Sequence, residues 1–199
     1  MGRSPLSGWP LLWHLRRAGV RTRTFGYIVS LDDFAAIRRR LVARISGLAA
    51  QGEYVLIGHS LGGVLIRAAV NALPAGTAHP GHIFLLGSPH EPSRLARRLG
   101  GNPVYRALTR DCGQLLGSPE RMAAVGAVSV PTTSIAGTGG PSRRFTPFHD
   151  EPNDGVVSLA EVSAAWIADQ VQLPTLHTLL PMSRRVAHII LERLAREPG

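Results

Sequence analysis

A serine in a glycine-rich turn is the residue best placed to do chemistry. Ser60 is the central residue of the pentapeptide GHSLG, which follows the apolar run 54–57 and precedes a helical pattern that opens at Val64. A serine on such a strand-to-helix turn, a nucleophile elbow, holds its hydroxyl clear of the sheet, and the first helix amides face the place where negative charge develops. The flanking glycines are expected because a Cβ atom would collide with strand and helix. The pattern therefore predicts a nucleophile; the alternative is that Ser60 only caps the helix.

The acid that this chemistry needs is predicted at Asp154. A serine hydroxyl requires a base to remove its proton, and histidine does this best when a carboxylate fixes its tautomer. With this turn the order along the chain is serine, acid, histidine, each after a strand. Asp154 follows the 130–136 strand in a Pro-Asn-Asp-Gly turn. Asp150 is the runner-up and Glu151 is less favoured, and a plain turn aspartate is the alternative for Asp154.

The base is predicted at His177. It lies between the 170–173 strand and the last helix, where the histidine belongs in this order. A loop histidine without a catalytic role is the alternative. The other candidates come too early, lie inside the last helix or lie beside the serine, where neighbouring side chains diverge: His90, His149, His188 and His59.

Alternating elements would bring these residues to one place. Helices are predicted at 6–18, from Ser30 onward, after Ser60 and at 183–196, and strands at 23–27, 54–57, 82–86, 130–136 and 170–173. Asp33, three residues after Ser30, gives the second helix a variant of the capping box. Strands without polar interruption predict an α/β fold, with a mostly parallel sheet and helices on both faces.

A single domain over residues 1–199 is expected from the length and the 44% apolar content. Within it, residues 88–129 form a long connection between two strands and contain helical patterns. One interpretation is a cap or lid inserted above the catalytic edge. The other is one or two ordinary crossover helices with long loops.

Composition excludes several kinds of site. The single cysteine, Cys112, allows no internal disulfide and no cysteine-based metal cluster, and the chemistry needs neither a metal nor an organic cofactor. Cys112 is expected to be a small, partly buried apolar residue. No apolar run is long enough to cross a bilayer, and the first five residues lack the features of a secretory signal. The sequence as it stands therefore predicts a cytoplasmic protein.

The net charge of +9 raises the question of a nucleic acid or a membrane surface as partner. All 22 basic residues are arginine, and many occur in scattered pairs such as Arg16-Arg17 and Arg184-Arg185. No basic stripe interleaved with aromatic residues is visible, so nucleic-acid binding is not expected. The charge instead favours weak association with anionic surfaces or substrates.

The sequence resembles the α/β-hydrolase superfamily, and within it the bacterial lipases and esterases. The resemblance extends over residues 1–196 and is carried by three motifs: Gly58–Gly63, Asn153–Val157 and Leu176–Thr178. It implies that Ser60 forms an acyl-enzyme, that His177 carries the proton and that Asp154 orients His177. It also implies that the Leu61 amide supplies half of the oxyanion hole. The resemblance is specific for fold and mechanism, but not for substrate.

A carboxylic ester with an apolar acyl group is the expected substrate, because Leu176 and Leu179 lie near the predicted site. One alternative is the same triad acting on thioesters or peptides, or transferring the acyl group to an alcohol. Another is a non-catalytic member of the fold that binds a small molecule or a protein.

The start of the chain departs from the family pattern. The family's second oxyanion donor follows a His-Gly pair after a central strand, and the sequence has neither. Met1 or Gly2 would then supply the second amide. The missing strand would leave unpaired edges at the 23–27 and 54–57 strands. We expect either an upstream start, with a secreted or envelope location as an alternative, or a shortened and less active paralogue.

Overall fold

The computed structural model describes residues 8–141 and 146–196. Helices and strands alternate along the chain. In order they are α1 (Trp9–Arg17), α2 (Phe34–Ala49), β1 (Val55–His59), α3 (Leu61–Val70), β2 (His82–Leu86), α4 (Arg94–Leu99), α5 (Pro103–Gly117), α6 (Pro119–Val125), β3 (Thr132–Gly137), β4 (Asp169–Leu173) and α7 (Arg184–Arg196). Short 3₁₀ segments at Ala160–Val162 and His177–Met182 lie before and after β4.

The strands of the described residues form one parallel sheet in the order β1-β2-β3-β4. Every residue of β2 and β3 is buried, as expected when helices cover both faces of a parallel sheet. Side chains alternate between the two faces along a strand. In β2, Ile83 and Leu85 accordingly pack in one core cluster, and Leu86 packs in a second. The predicted α/β fold is therefore confirmed.

Helices form a layer on each side of this sheet. α2, α3, α5 and α6 contribute buried residues to the first cluster, and α1 and α7 contribute to the second. α1 packs against α7, and α2 packs against α3. Because parallel strands all end at the same edge, the segments that follow β1, β2, β3 and β4 meet there.

The predicted strand at 23–27 is wrong. These residues lie in no strand, and among the described residues β1 pairs only with β2. Backbone N–H and C=O groups make a strand only where a neighbouring strand can pair with them. The apolar pattern of residues 23–27 does not by itself provide such a neighbouring strand. Phe25 and Tyr27 still pack against the first core cluster.

The second helix begins later than the sequence pattern predicts. Asp33, and not Ser30, is the N-cap of α2, and its Oδ1 accepts a hydrogen bond from the Ala36 amide at 2.6 Å. Asp and Ser are about equally good N-caps, and the Asp33 carboxylate also offsets the positive end of the helix dipole. Residues 28–32 form a turn instead.

The long connection at 88–129 holds α4, α5 and α6. α5 buries Tyr105 and Leu115 in the first core cluster. It is also tied to the start of α2, where the Phe34 amide donates to Asp111 Oδ2 at 2.9 Å. These contacts suit crossover helices packed on the core, and the lid interpretation stays a prediction.

The structure bears on three expectations from composition. Cys112 is buried, and burial, reinforced by the nearby Asp111 carboxylate, raises the pKa of its thiol to about 12. The thiol therefore stays protonated and packs as an apolar group. None of the helices in residues 8–141 and 146–196 combines the length and apolar character needed to cross a bilayer. In the same residues no group of three or more His, Cys, Asp or Glu side chains could hold a metal ion.

Candidate active site

Ser60 occupies the turn between β1 and α3 with a strained backbone. Its φ is 55° and its ψ is −126°, a conformation that costs a residue with a Cβ about 1–3 kcal/mol. Its amide donates to the Leu86 carbonyl at 2.9 Å, which ties the turn to the end of β2. The side chain makes no capping hydrogen bond to α3. The interpretation of Ser60 as a simple helix cap is therefore wrong.

Glycines around the turn allow strand and helix to touch. A Cβ atom on Gly58 would lie 2.6 Å from the Cα of Gly63, and one on Gly63 would lie 2.8 Å from Leu85 Cδ2. Gly62, the second glycine of the motif, is different: its nearest neighbour would be the Tyr27 hydroxyl at 3.8 Å. The steric requirement expected of the motif's glycines thus holds for Gly58, and on the helix side it falls on Gly63.

Asp154 and His177 are brought together at the edge of the sheet. His177 Nδ1 lies 2.6 Å from Asp154 Oδ2, and both side chains are buried. The other carboxylate oxygen accepts hydrogen bonds from the amides of Val156 and Val157 at 2.9 and 2.8 Å. The His177 amide also donates to the Asp154 carbonyl at 2.9 Å. Because an ionised carboxylate only accepts, this geometry assigns the proton to Nδ1 and leaves Nε2 as the acceptor.

Gly87 joins this pair to the serine turn. It follows Leu86, whose carbonyl holds the Ser60 amide, and its φ is +52°. A Cβ atom here would lie 3.0 Å from Asp154 Oδ2 and 3.1 Å from His177 Nδ1. The end of β2 therefore contacts the serine turn through Leu86, and the next residue, Gly87, contacts the acid–histidine pair.

His59, which precedes the serine, contacts the candidate base His177. Its Nε2 lies 2.9 Å from the His177 carbonyl, to which it can donate, and the two imidazole rings are 4.6 Å apart. The sequence-based interpretation of His59 as structural did not include this contact. Adjacency to a candidate serine was the only signal in the sequence.

The other sequence candidates lie as follows. Glu151 forms an ion pair with Arg94, and Asp150 is exposed, so neither carboxylate replaces Asp154 beside His177. Leu176 and Leu179, which flank His177, are 41% and 45% exposed, as substrate-facing residues would be. Of the candidate oxyanion donors, Leu61 is the first residue of α3. The other two, Met1 and Gly2, lie outside the described residues.

An ionic network that was not expected from the sequence holds the loop of Asp154. Arg94 at the start of α4 pairs with Glu151 and donates to Ser158 Oγ at 2.5 Å. Glu161 accepts from the Ser158 amide at 2.6 Å and from the Arg94 amide at 2.5 Å. Through these bonds, the loop 151–161 is held to Arg94 at the start of α4, the helix that follows β2. No sequence motif marks them, because the partners are more than fifty residues apart along the chain.

Arg67 of α3 and His90, which follows β2, form a second buried polar pair. An Arg67 guanidinium nitrogen is hydrogen-bonded to His90 Nδ1, and the guanidinium lies 5.8 Å from the Trp166 ring centre. Burial and the adjacent Arg67 charge lower the pKa of His90 to about 3. The buried imidazole is therefore neutral at neutral pH and accepts the bond from Arg67.

This pair predicts a specific sensitivity to acid. Between pH 6.5 and 3 the unfolded state binds a proton at His90 that the folded state excludes. The free energy of unfolding therefore decreases as the pH is lowered, by at most about 1.4 kcal/mol per pH unit. In His90→Asn the amide oxygen can still accept from Arg67 but does not titrate. Urea unfolding at pH 7, 5 and 4 is expected to show a shallower loss for the variant, and parallel profiles would contradict this.

Comparison with known proteins shows the fold alone. No family model matches the sequence, and no curated protein matches it. Among solved structures, the mature lipase BlEst2 of Bacillus licheniformis gives a TM-score of 0.63 at 15% identity, over 82% of this chain and 74% of that one. Methylketone synthase I of tomato gives 0.64 at 11% identity, over 96% and 93% of the two chains.

The phospholipase PlaB of Legionella pneumophila gives 0.59 at 15% identity, over 80% of this chain. The matched part is only 40% of the PlaB chain, so the similarity concerns less than half of that enzyme. All of these relations are structural, at low sequence identity. Together with the parallel sheet and its two helical layers, they show that this protein has the α/β-hydrolase fold.

Proposed function

We propose that this protein is a serine hydrolase that cleaves carboxylic esters through an acyl-enzyme on Ser60. The observation that carries the proposal is the buried Asp154–His177 pair, which lies against Gly87. The residue before Gly87, Leu86, accepts the hydrogen bond from the Ser60 amide. A strained serine, a histidine with a free Nε2 and an orienting carboxylate are the three parts that acyl transfer needs.

In the proposed first step, His177 Nε2 removes the Ser60 proton while Oγ attacks the acyl carbonyl carbon. The resulting imidazolium is stabilised by Asp154, and the oxyanion is stabilised by the Leu61 amide, since the first amides of a helix lack intrahelical partners. We propose Met1 or Gly2 as the second donor. Collapse of the tetrahedral intermediate breaks the ester C–O bond, and His177 protonates the departing alcohol.

In the second step water replaces the alcohol. His177 removes a proton from the water, the hydroxide attacks the acyl-enzyme, and collapse releases the carboxylic acid while Ser60 recovers its proton. Every proton moves through His177 Nε2. Neither reaction step requires a metal or an organic cofactor.

An apolar acyl group fits the surroundings of the base. Leu176 and Leu179 flank His177 and are largely accessible, so they can cover the acyl chain. A lipase and a phospholipase among the structural neighbours support an ester. A thioesterase neighbour, RedJ of Streptomyces coelicolor, with a TM-score of 0.50, keeps thioester cleavage as the second candidate.

Kinetics with matched substrates test the proposal. We expect hydrolysis of p-nitrophenyl butyrate to exceed that of the butyryl thioester of N-acetylcysteamine in kcat/KM. Asp154→Asn is expected to lower kcat by about 10⁴-fold, because the amide favours the wrong tautomer of His177. Asp150→Asn, which alters an exposed neighbouring acid, is the matched control and should leave kcat unchanged. Full activity in Asp154→Asn would contradict the assignment.

We also propose weak association of α1 with anionic surfaces. Trp9 and Trp13 are 52% and 41% exposed, lie one helical turn apart and stack with Arg16 and Arg17. Exposed tryptophan beside arginine suits an interface between apolar and charged groups. α1 packs against the segment His177–Met182, so such contact would bring the proposed site toward the surface.

A further inference from the structure

A cleft of about 520 Å³ lies between α5 and the turn that precedes α2. Its volume is within the range of small-molecule sites, which is about 300–1,000 Å³. The residues that line it take no part in the proposed acyl transfer. They are Ser30, Arg106, Ala107, Arg110 and Gln114.

The cleft concentrates positive charge and hydrogen-bond donors. Arg106, Arg110 and Gln114 follow one another at intervals of four residues along α5. Within the part of the chain that the structure describes, no carboxylate forms an ion pair with Arg106 or Arg110. An anionic ligand would supply the missing counter-charge.

Backbone strain holds one of these arginines in the cleft. Arg110 interrupts α5 with φ 43° and ψ −132°, a conformation that costs about 1–3 kcal/mol and that clusters at functional sites. The kink lets its Nη1 donate to the Ser30 carbonyl at 3.0 Å, across the cleft. This hydrogen bond directs the guanidinium toward the cleft, and such positioning before binding lowers the entropic cost of binding.

Two exposed leucines are sequence neighbours of residues that line the cleft. Leu31 follows Ser30 and is 73% exposed, and Leu108 follows Ala107 and is 58% exposed. The same turn leads back toward the serine. Tyr27, three residues before Ser30 and so within about 10 Å along an extended chain, has its hydroxyl beside Gly62.

We propose that this cleft binds the phosphate group of a phosphorylated acyl substrate whose acyl group is presented to Ser60. Two guanidinium forks match a phosphate in charge and in bidentate geometry, and Gln114 can add an amide donor. The inference rests on the proposed function for the acyl transfer, but phosphate binding is independent of it. The phosphate can belong to a soluble acyl carrier or to a glycerol phosphate ester.

Calorimetric titration with glycerol 3-phosphate tests the site without turnover. The unmodified protein is expected to bind it, and Arg106→Gln/Arg110→Gln is expected to weaken binding at least about 10-fold, as loss of charged hydrogen bonds does. Arg21→Gln/Arg23→Gln removes the same charge from exposed positions outside the cleft and should bind normally. Absence of binding, equal binding by all three proteins or equal weakening in both variants would overturn the proposal.

Turnover distinguishes the two sources of phosphate. Butyryl-coenzyme A, 1-butyryl-glycerol 3-phosphate and neutral p-nitrophenyl butyrate are compared in the same three proteins. We expect the cleft variant to raise KM about 10-fold for the phosphorylated substrate that is used, with kcat and the neutral ester unaffected. An equal rise for the neutral ester would overturn the proposal. If the unmodified protein hydrolyses none of the three, the proposed function fails, and the titration still decides the cleft.

Discussion

A Ser60→Gly variant is expected to be inactive and yet more stable than the unmodified protein. Ser60 has a positive φ that costs a residue with a Cβ about 1–3 kcal/mol, and glycine adopts it freely. After the extra entropy of glycine in the unfolded chain is subtracted, the free energy of unfolding should rise by about 1 kcal/mol. Loss of the nucleophile should lower kcat at least about 10³-fold. Urea unfolding and ester hydrolysis measure the two effects.

Ser60→Ala is the matched control for this result. It also lacks the hydroxyl but keeps a Cβ, so it should lose activity without gaining stability. A gain in stability for both variants would mean that the hydroxyl, and not the backbone, is the source of the strain. Retention of esterase activity in either variant would remove Ser60 from the mechanism.

A Gly87→Ala variant is expected to lose at least about 100-fold in kcat, although residue 87 contributes no functional group. Its Cβ would lie 2.9 Å from Leu180 Cδ1 and about as close to the facing atoms of Asp154 and His177. The pair must shift to make room, and a displacement of about 1 Å in a catalytic group can cost 100-fold. Ester hydrolysis at saturating substrate gives the measurement.

Gly76→Ala separates this displacement from simple backbone strain. Gly76 also has a positive φ, +81°, but nothing lies within 4 Å of the position of its Cβ. Gly76→Ala should lose about 1 kcal/mol of stability from the strained alanine, and Gly87→Ala should lose more, because its Cβ is also crowded. Only Gly87→Ala should lose activity, and equal kcat values in the two variants would contradict the role assigned to Gly87.

Local patterns in the sequence were sufficient to predict the four strands of the sheet and the placement of Asp154 and His177. A buried parallel strand needs an unbroken apolar run, and 82–86 has one. The Pro-Asn-Asp-Gly turn constrains the backbone around Asp154 so strongly that its position after a strand could be inferred. The pairing itself then follows from parallel strands that end at a common edge.

Features set by distant contacts could not be predicted. A strand at 23–27 would need a neighbouring strand that the described residues do not provide. The alternation of apolar residues does not indicate whether such a neighbour exists. The crowding at Gly63 and Gly87 depends on Leu85 and Leu180, which pack against them in space. The same holds for the Arg94 network, whose acidic partners lie 57 and 67 residues further along the chain.

Covalent labelling by a fluorophosphonate tests the central claim most directly, since this reagent phosphonylates only a serine that a neighbouring base activates. Intact-mass and peptide analysis should find one adduct, on Ser60, in the unmodified protein, with strong loss in His177→Gln. Labelling at pH 7 of folded protein that leaves Ser60 unmodified, or an adduct rate unaffected by His177→Gln, would contradict the account.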